Sequence, residues 1–243
     1  NYDGQKATDA ADYADYTAAL ATAKSNGYTG VSGVYSDSAL TTKLGADLSA
    51  ATFGNTDKTV YVQLTPAPKT ATITYNKATG LSTAGSTAQD NAVSASPTSL
   101  TGVTNDKYPA NTIQVPAGMT ATIKDAAGNT LDTDTSKATH LVKNSDGSYT
   151  IVGAFSLTSA GALAVPSYTV TYTANAVKMI QQYPDETRSN AGTAYGSYSA
   201  AGVVQKSGYV SFVDGTKANQ TPAGTFGATD KTYTITYEAV PAT

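Results

Sequence analysis

Two stretches of the chain repeat one another, and this duplication limits the fold more than any other feature. Thr52-Phe53-Gly54-Asn55-Thr56-Asp57-Lys58-Thr59 recurs as Thr225-Phe226-Gly227-Ala228-Thr229-Asp230-Lys231-Thr232. Each copy runs into a β-rich segment, VYVQL at 60–64 and YTITY at 233–237, and closes at Pro66 or Pro241. Upstream, Tyr13-x-x-Tyr16-x-Ala18-Ala19 matches Tyr195-x-x-Tyr198-x-Ala200-Ala201. Lys24-Ser25-Asn26-Gly27-Tyr28 then matches Lys206-Ser207-Gly208-Tyr209 with one residue deleted. Three landmarks in the same order mark residues 1–68 and 176–243 as copies of one unit.

A third ending of the same kind, Ser167-Tyr168-Thr169-Val170-Thr171-Tyr172-Thr173-Ala174, resembles Thr232–Ala239. Residues 69–175 therefore form a separate middle module. It lacks the Tyr-x-x-Tyr and Gly-Tyr landmarks and need not share the fold of its flanks. Pro66-Ala67-Pro68 reads as a short, stiff linker, and Ala174-Asn175 follows a strand end.

Within the repeat, Asp9 is placed to cap a helix over about 10–25. Tyr13, Tyr16, Leu20 and Ala23 or Lys24 fall at spacings of three and four, one apolar stripe, and Gly27 is placed to stop the helix. A shorter helix is expected near 197–206, ending at Gly208, although Gly196 and Gly202 weaken it by roughly 1 kcal/mol each. Val60, Val62 and Leu64 alternate with Tyr61 and Gln63, as Tyr233, Ile235 and Tyr237 do with Thr, which is strand periodicity. One helix across a mixed sheet within about 65 residues is the outline of a β-grasp-like α+β unit. The middle module reads as β: a strand at 69–75, a hairpin at 120–132 around Asp125–Gly128, and a second at 140–152 around Asp146-Gly147. Residues 79–106 show little periodicity and read as loop. The expected fold class is thus α+β and all-β modules in an elongated tandem array, two β-grasp-like units flanking a β-rich one.

Composition narrows what such an array can do. There is no Cys, one His (His140) and one Arg (Arg188). This excludes disulfides, thiolate nucleophiles, Cys-ligated zinc and multi-His metal sites. Fifteen Lys plus Arg against 18 Asp plus Glu, a net charge of −3, offers nucleic acid no basic cluster. No apolar run approaches the roughly 20 residues of a membrane span. Charged residues make up 14% of the chain, well below the roughly 25% of ordinary domains. Hydroxyls and amides supply the surface polarity instead, as suits an extracellular stalk or adhesin. The chain opens on Asn1 rather than Met, as expected of a piece of a longer or processed protein. Binding or scaffolding is expected, not catalysis.

The landmarks resemble the mucin-binding repeats (MucBP or Mub type) of lactobacillus and related Gram-positive cell-surface adhesins. The resemblance lies in the Tyr-bearing helix running into Lys-x-x-Gly-Tyr, and in Phe-x-x-Thr-Asp-Lys-Thr before a Thr/Tyr/Val strand. It covers 1–68 and 176–239, and Ile73-Thr74-Tyr75-x-x-x-Thr79-Gly80 is similar to the family's opening strand and turn. It implies a wall-anchored, extracellular adhesin of many repeats that binds host mucin or another glycoprotein. The array would be monomeric, without cofactor. The alternative is a spacer that projects a binding domain located elsewhere.

Flat aromatic faces with hydroxyls suit carbohydrate, so Tyr13, Tyr16, Tyr28, Tyr195, Tyr198 and Tyr209 are the candidate ligand-binding residues. The competing reading is that spacings of three turn the helix rings into the core and that Tyr28 and Tyr209 are packing anchors. Tyr35 and Tyr183, in loop-like sequence, are expected to be exposed. Asp132-x-Asp134, with Asp125 and Asn129 nearby, could offer oxygen ligands to Ca²⁺. It lacks the Gly and distal Glu of an EF-hand, which favours ordinary turn chemistry. Asp185-Glu186 beside Arg188 and the two Asp-Lys pairs read as solvated loop or turn pairs, and His140 as a plain surface residue.

Overall fold

Alternating Thr, Val, Ile and Tyr build a chain that is mostly β-sheet. In a computed structural model, residues 13–25, 28–48, 59–103, 106–156 and 166–241 are described. The side chains of 13–17 and 19 lie outside that description, as do Asp9, Gly27 and the 52–58 landmark with its Asp57-Lys58 pair. Two compact units result. One comprises Asn1–Ala71, Leu100–Pro109 and Gly153–Pro166, and the other Thr72–Ser99, Ala110–Val152 and Ser167–Thr243.

In the first unit, helix α1 (Tyr13–Ser25) leads into β1 (Tyr28–Tyr35), β2 (Lys43–Gly45) and β3 (Tyr61–Pro66). The sheet order is β2-β1-β3, with both pairings antiparallel. Val34 and Leu48 are buried, with Val31, Leu44, Val60 and Val62 packed against them. Asp37 organises the β1–β2 connection: its carboxylate accepts from the Thr41 and Thr42 amides at 3.1 and 2.7 Å. These bonds, led by the Thr41 amide, hold its carboxyl at about 2.

The middle segment opens with β4 (Lys69–Asn76), followed by α2 (Thr83–Ser94), β5 (Ser99–Gly102), β6 (Met119–Asp125), β7 (His140–Lys143), β8 (Tyr149–Val152) and β9 (Ser167–Ala174). The main sheet has the order β5-β4-β9-β6, and β7–β8 form a separate hairpin. The first strand, β4, runs parallel to the last, β9, which runs antiparallel to β6. The 69–75 strand and both hairpins lie where the period-2 pattern and turn residues put them. Asp125 accepts from the Ala127 and Asn129 amides, and Gly147 takes φ +87° between β7 and β8.

Residues 79–106 are not loop: α2 and β5 occupy most of them. The helix shows no apolar stripe because its buried positions are Gly85, Gln89 and Ala92, a face at spacings of four and three with little hydrophobic signal. Ser82 caps it. Gln89, 1% exposed, uses its amide as a second backbone, accepting from Ala78 N–H at 2.7 Å and donating to Ala78 C=O at 3.1 Å. Tyr172 is fully buried, donates to Gln114 C=O at 2.7 Å and stacks on Tyr75.

The last segment contains β10 (Ala176–Gln182), β11 (Thr187–Thr193), β12 (Ser197–Tyr198), β13 (Ala201–Gly202), β14 (Tyr209–Val213), β15 (Thr216–Lys217), β16 (Gln220–Thr221), β17 (Gly224–Thr225) and β18 (Lys231–Ala239). Five strands form a sheet in the order β11-β10-β18-β14-β15. Here too the first strand, β10, is parallel to the last, β18. The third sequence ending therefore marks a common frame in 69–175 and 176–243: first and last strands side by side and parallel, with an antiparallel strand beyond the last. Asp230 does not close a hairpin turn. Its carboxylate accepts from Lys178 N–H on β10 at 2.8 Å.

The helix expected over 197–206 does not form. β12 and β13 pair instead with β17 and β16. Tyr195 adopts φ +61°, which breaks a helix where one would start, and glycines at 196 and 202 weaken the helical alternative further. The duplicated sequence is thus a structural repeat only in its second half. Tyr28 and Tyr209 each open a strand that pairs antiparallel with the terminal strand of its copy, β3 or β18, and with a short strand, β2 or β15, on its other side.

Candidate functional site

The six candidate tyrosines have different fates. Tyr13 and Tyr16 lie on α1, but their side chains fall outside the described residues. Tyr28 is half-buried opposite Pro66. Tyr209 is 49% exposed opposite Ala239.

Tyr195 is a buried junction between the middle and last segments, inside one compact unit. Its amide donates to Gly227 C=O, its carbonyl accepts from Ser82 N–H at the start of α2, and its hydroxyl donates to Ala117 C=O at 2.9 Å. The ring lies against Gly85, where a Cβ would come within 2.5 Å of Tyr195 Cβ. Only glycine admits that approach.

Tyr198 lines a cleft, a cavity of about 300 Å³ in the last segment. Met179 of β10 and Phe226, both buried, form its floor. Exposed Asn190, Ser197 and Ser199 border its mouth. Phe226 reaches this position because β11 carries Gly192, where a Cβ would lie 2.3 Å from Phe226 Cε2. The Tyr198 ring packs on Phe226 at 4.7 Å between centroids, and its hydroxyl shares a 2.8 Å hydrogen bond with Tyr233. Burial, and then the bond to Tyr198, push the Tyr233 hydroxyl well above the ordinary phenol range. The ring of Tyr198 is therefore held from two sides. Among the described residues, no acidic or basic side chain lines the cleft. Among the described residues, the side chains of Asn190, Ser197 and Ser199 take up no hydrogen bond within the protein.

A second aromatic cluster is satisfied internally. Tyr183, expected to be exposed, is 6% exposed. It stacks on Tyr237, donates to Gln181 Oε1 and accepts from Val204 N–H. Arg188 and Lys206 lie over the Tyr183 and Tyr237 rings while pairing with Glu186 and Asp185. Tyr35 is half-buried and donates to Gln63 Oε1.

Asp132 and Asp134 spend their oxygens locally. Asp132 accepts from Asp134 N–H and Lys137 Nζ, and Asp134 from the Ser136 amide and hydroxyl. Among the described residues, no group of three or more His, Asp or Glu side chains is placed to hold a metal ion. His140 begins β7 half-buried, its Nδ1 3.0 Å from Lys137 C=O.

The candidate tyrosines do not point to Met179, Asn190 or Phe226, which also line the cleft. Phe226 had a signal, since it is the aromatic residue of the duplicated Thr-Phe-Gly landmark. Met179 and Asn190 had none, because cross-strand pairing alone brings them together. Comparison with protein-family models and with curated proteins finds no match to this chain. Among the described residues, no helix is long and apolar enough to cross a membrane.

Proposed function

We propose that the chain is a repeat segment of a Gram-positive bacterial cell-surface adhesin that binds host mucin or a related glycoprotein through many weak contacts. On this reading it is a non-enzymatic, monomeric array of β-grasp-like modules, displayed outside the cell through a wall-anchored parent protein. The observation that carries the proposal is the common frame of 69–175 and 176–243, consecutive segments with parallel first and last strands. A frame used twice in succession is the form a repeat array takes, and linked weak sites in such an array gain avidity through effective concentration. The duplicated landmarks support the same reading.

The test compares the chain immobilised densely on beads with the same chain free in solution, using purified mucin. Strong retention on beads with weak solution binding is expected. Absence of retention at high surface density removes the adhesin reading.

A second reading, a spacer that projects a binding domain elsewhere, is favoured by Tyr195. That landmark aromatic is consumed in holding two segments together and offers nothing to a ligand. A spacer shows no mucin retention at any density.

A further inference from the structure

Resting on the adhesin reading, the geometry points to the cleft beside Tyr198 as a subsite for one uncharged sugar ring. A pyranose has apolar C–H faces and a polar hydroxyl edge, so it needs a flat apolar partner and groups that both donate and accept. The cleft supplies both. The half-buried ring of Tyr198 gives the apolar partner, backed by the buried Met179 and Phe226, and Asn190, Ser197 and Ser199 give an amide and two hydroxyls at the mouth.

Size and charge narrow the ligand further. About 300 Å³ is the lower end of ligand clefts, room for a single ring with a small substituent rather than a folded oligosaccharide. A carboxylate or sulfate would lose water here and find no cation among the lining residues, which disfavours acidic sugars. The held ring of Tyr198 needs no ordering on binding, which lowers the entropic cost of a weak contact.

The experiment is an amide NMR titration of the whole chain with galactose and N-acetylgalactosamine, with sialic acid as the acidic counterpart. Dissociation constants of about 1 mM or weaker are expected for the neutral sugars, with shifts confined to Asn190, Ala191 and 197–201. Ala200→Trp, a change at an exposed residue lining the cleft, abolishes those shifts. Asn190→Ala, on the exposed edge strand, weakens binding about fivefold, the loss of one hydrogen bond. Equal or tighter binding of sialic acid, shifts located elsewhere, or an undiminished response in both variants overturns the assignment. If the neutral sugars leave these amides unmoved while the chain still retains mucin, the cleft fails and the adhesin reading stands. If mucin is not retained either, both fail.

Discussion

Tyr195 shows how much a single side chain can organise. Its backbone is left-handed at φ +61°, a conformation that favours Gly, Asn and Asp, and the surrounding bonds compensate that strain. Tyr195→Ala is expected to cost about 3–5 kcal/mol, as for other large aromatic truncations in a core. Tyr195→Phe, which removes only the bond to Ala117, should cost about 1 kcal/mol. Urea unfolding of both variants checks the ratio, and near-equal losses would mean that the ring contributes little. Gln89 works in the same way at smaller scale, substituting a side-chain amide for a strand partner of Ala78.

At the scale of elements, α2 is held by smallness rather than by hydrophobicity. Gly85 is the third residue of the helix, in its first turn, and alanine is intrinsically the better helix former. The added methyl would nevertheless strike Tyr195, so Gly85→Ala is expected to destabilise by about 1–3 kcal/mol, as overpacking does. Thermal or chemical denaturation decides the sign, and a stabilised variant would show that the helix and the Tyr195 ring do not meet as described.

This element also shows where the sequence was mute. Strands such as β4, the β7–β8 hairpin and β18 were legible, because alternation and Asp-Gly turns are local signals. A helix whose inner face is Gly, Gln and Ala carries no periodic apolar signal. The β12 and β13 pairings were illegible for a related reason: two-residue strands are fixed by partners 18 to 28 residues away. The Asp214-Gly215 pair carries a local turn signal of its own. Both residues take positive φ between β14 and β15, the geometry of a type I′ hairpin. Of the cleft, Tyr198, Ala200, Ala201 and Phe226 stand in the duplicated landmarks, but no local signal shows that they meet, since its walls come from separate strands.

For the whole molecule, ionisation sets the range of conditions the fold tolerates. Burial raises Tyr172 to about 12 and also raises Tyr75, Tyr237 and Tyr233. An acid whose folded value is raised contributes stability that is complete below its ordinary value, near 10. That contribution is lost as pH rises through the folded value. Tyrosinate absorbance should therefore appear late for these residues and coincide with loss of the β-sheet circular dichroism. Early, non-cooperative ionisation of all tyrosines would contradict the burial described.

On the acid side the sign reverses. Local bonds hold Asp37 at about 2 and lower Asp125, Asp132, Asp134, Asp146 and Asp185. Their contribution is present above about 4 and fades as pH falls toward 2. These groups are exposed, so loops should loosen before the sheets do. Hydrogen exchange should rise first at the Ala127, Asn129 and Ser148 amides, held by Asp125 and Asp146, and last at the Thr41 and Thr42 amides, held by Asp37.

The parallel placing of first and last strands has a mechanical consequence. Tension applied along the chain pulls β4 from its N-terminal end and β9 from its C-terminal end, and treats β10 and β18 in the same way. The two members of each pair are then drawn past one another lengthwise. Their hydrogen bonds share the load together instead of opening one at a time from an end, as they would in a hairpin pulled apart at its tips. A tether built on this frame resists stretching at the centre of each sheet, where Ile73, Val170, Met179 and Ile235 are buried beside the bonds under strain.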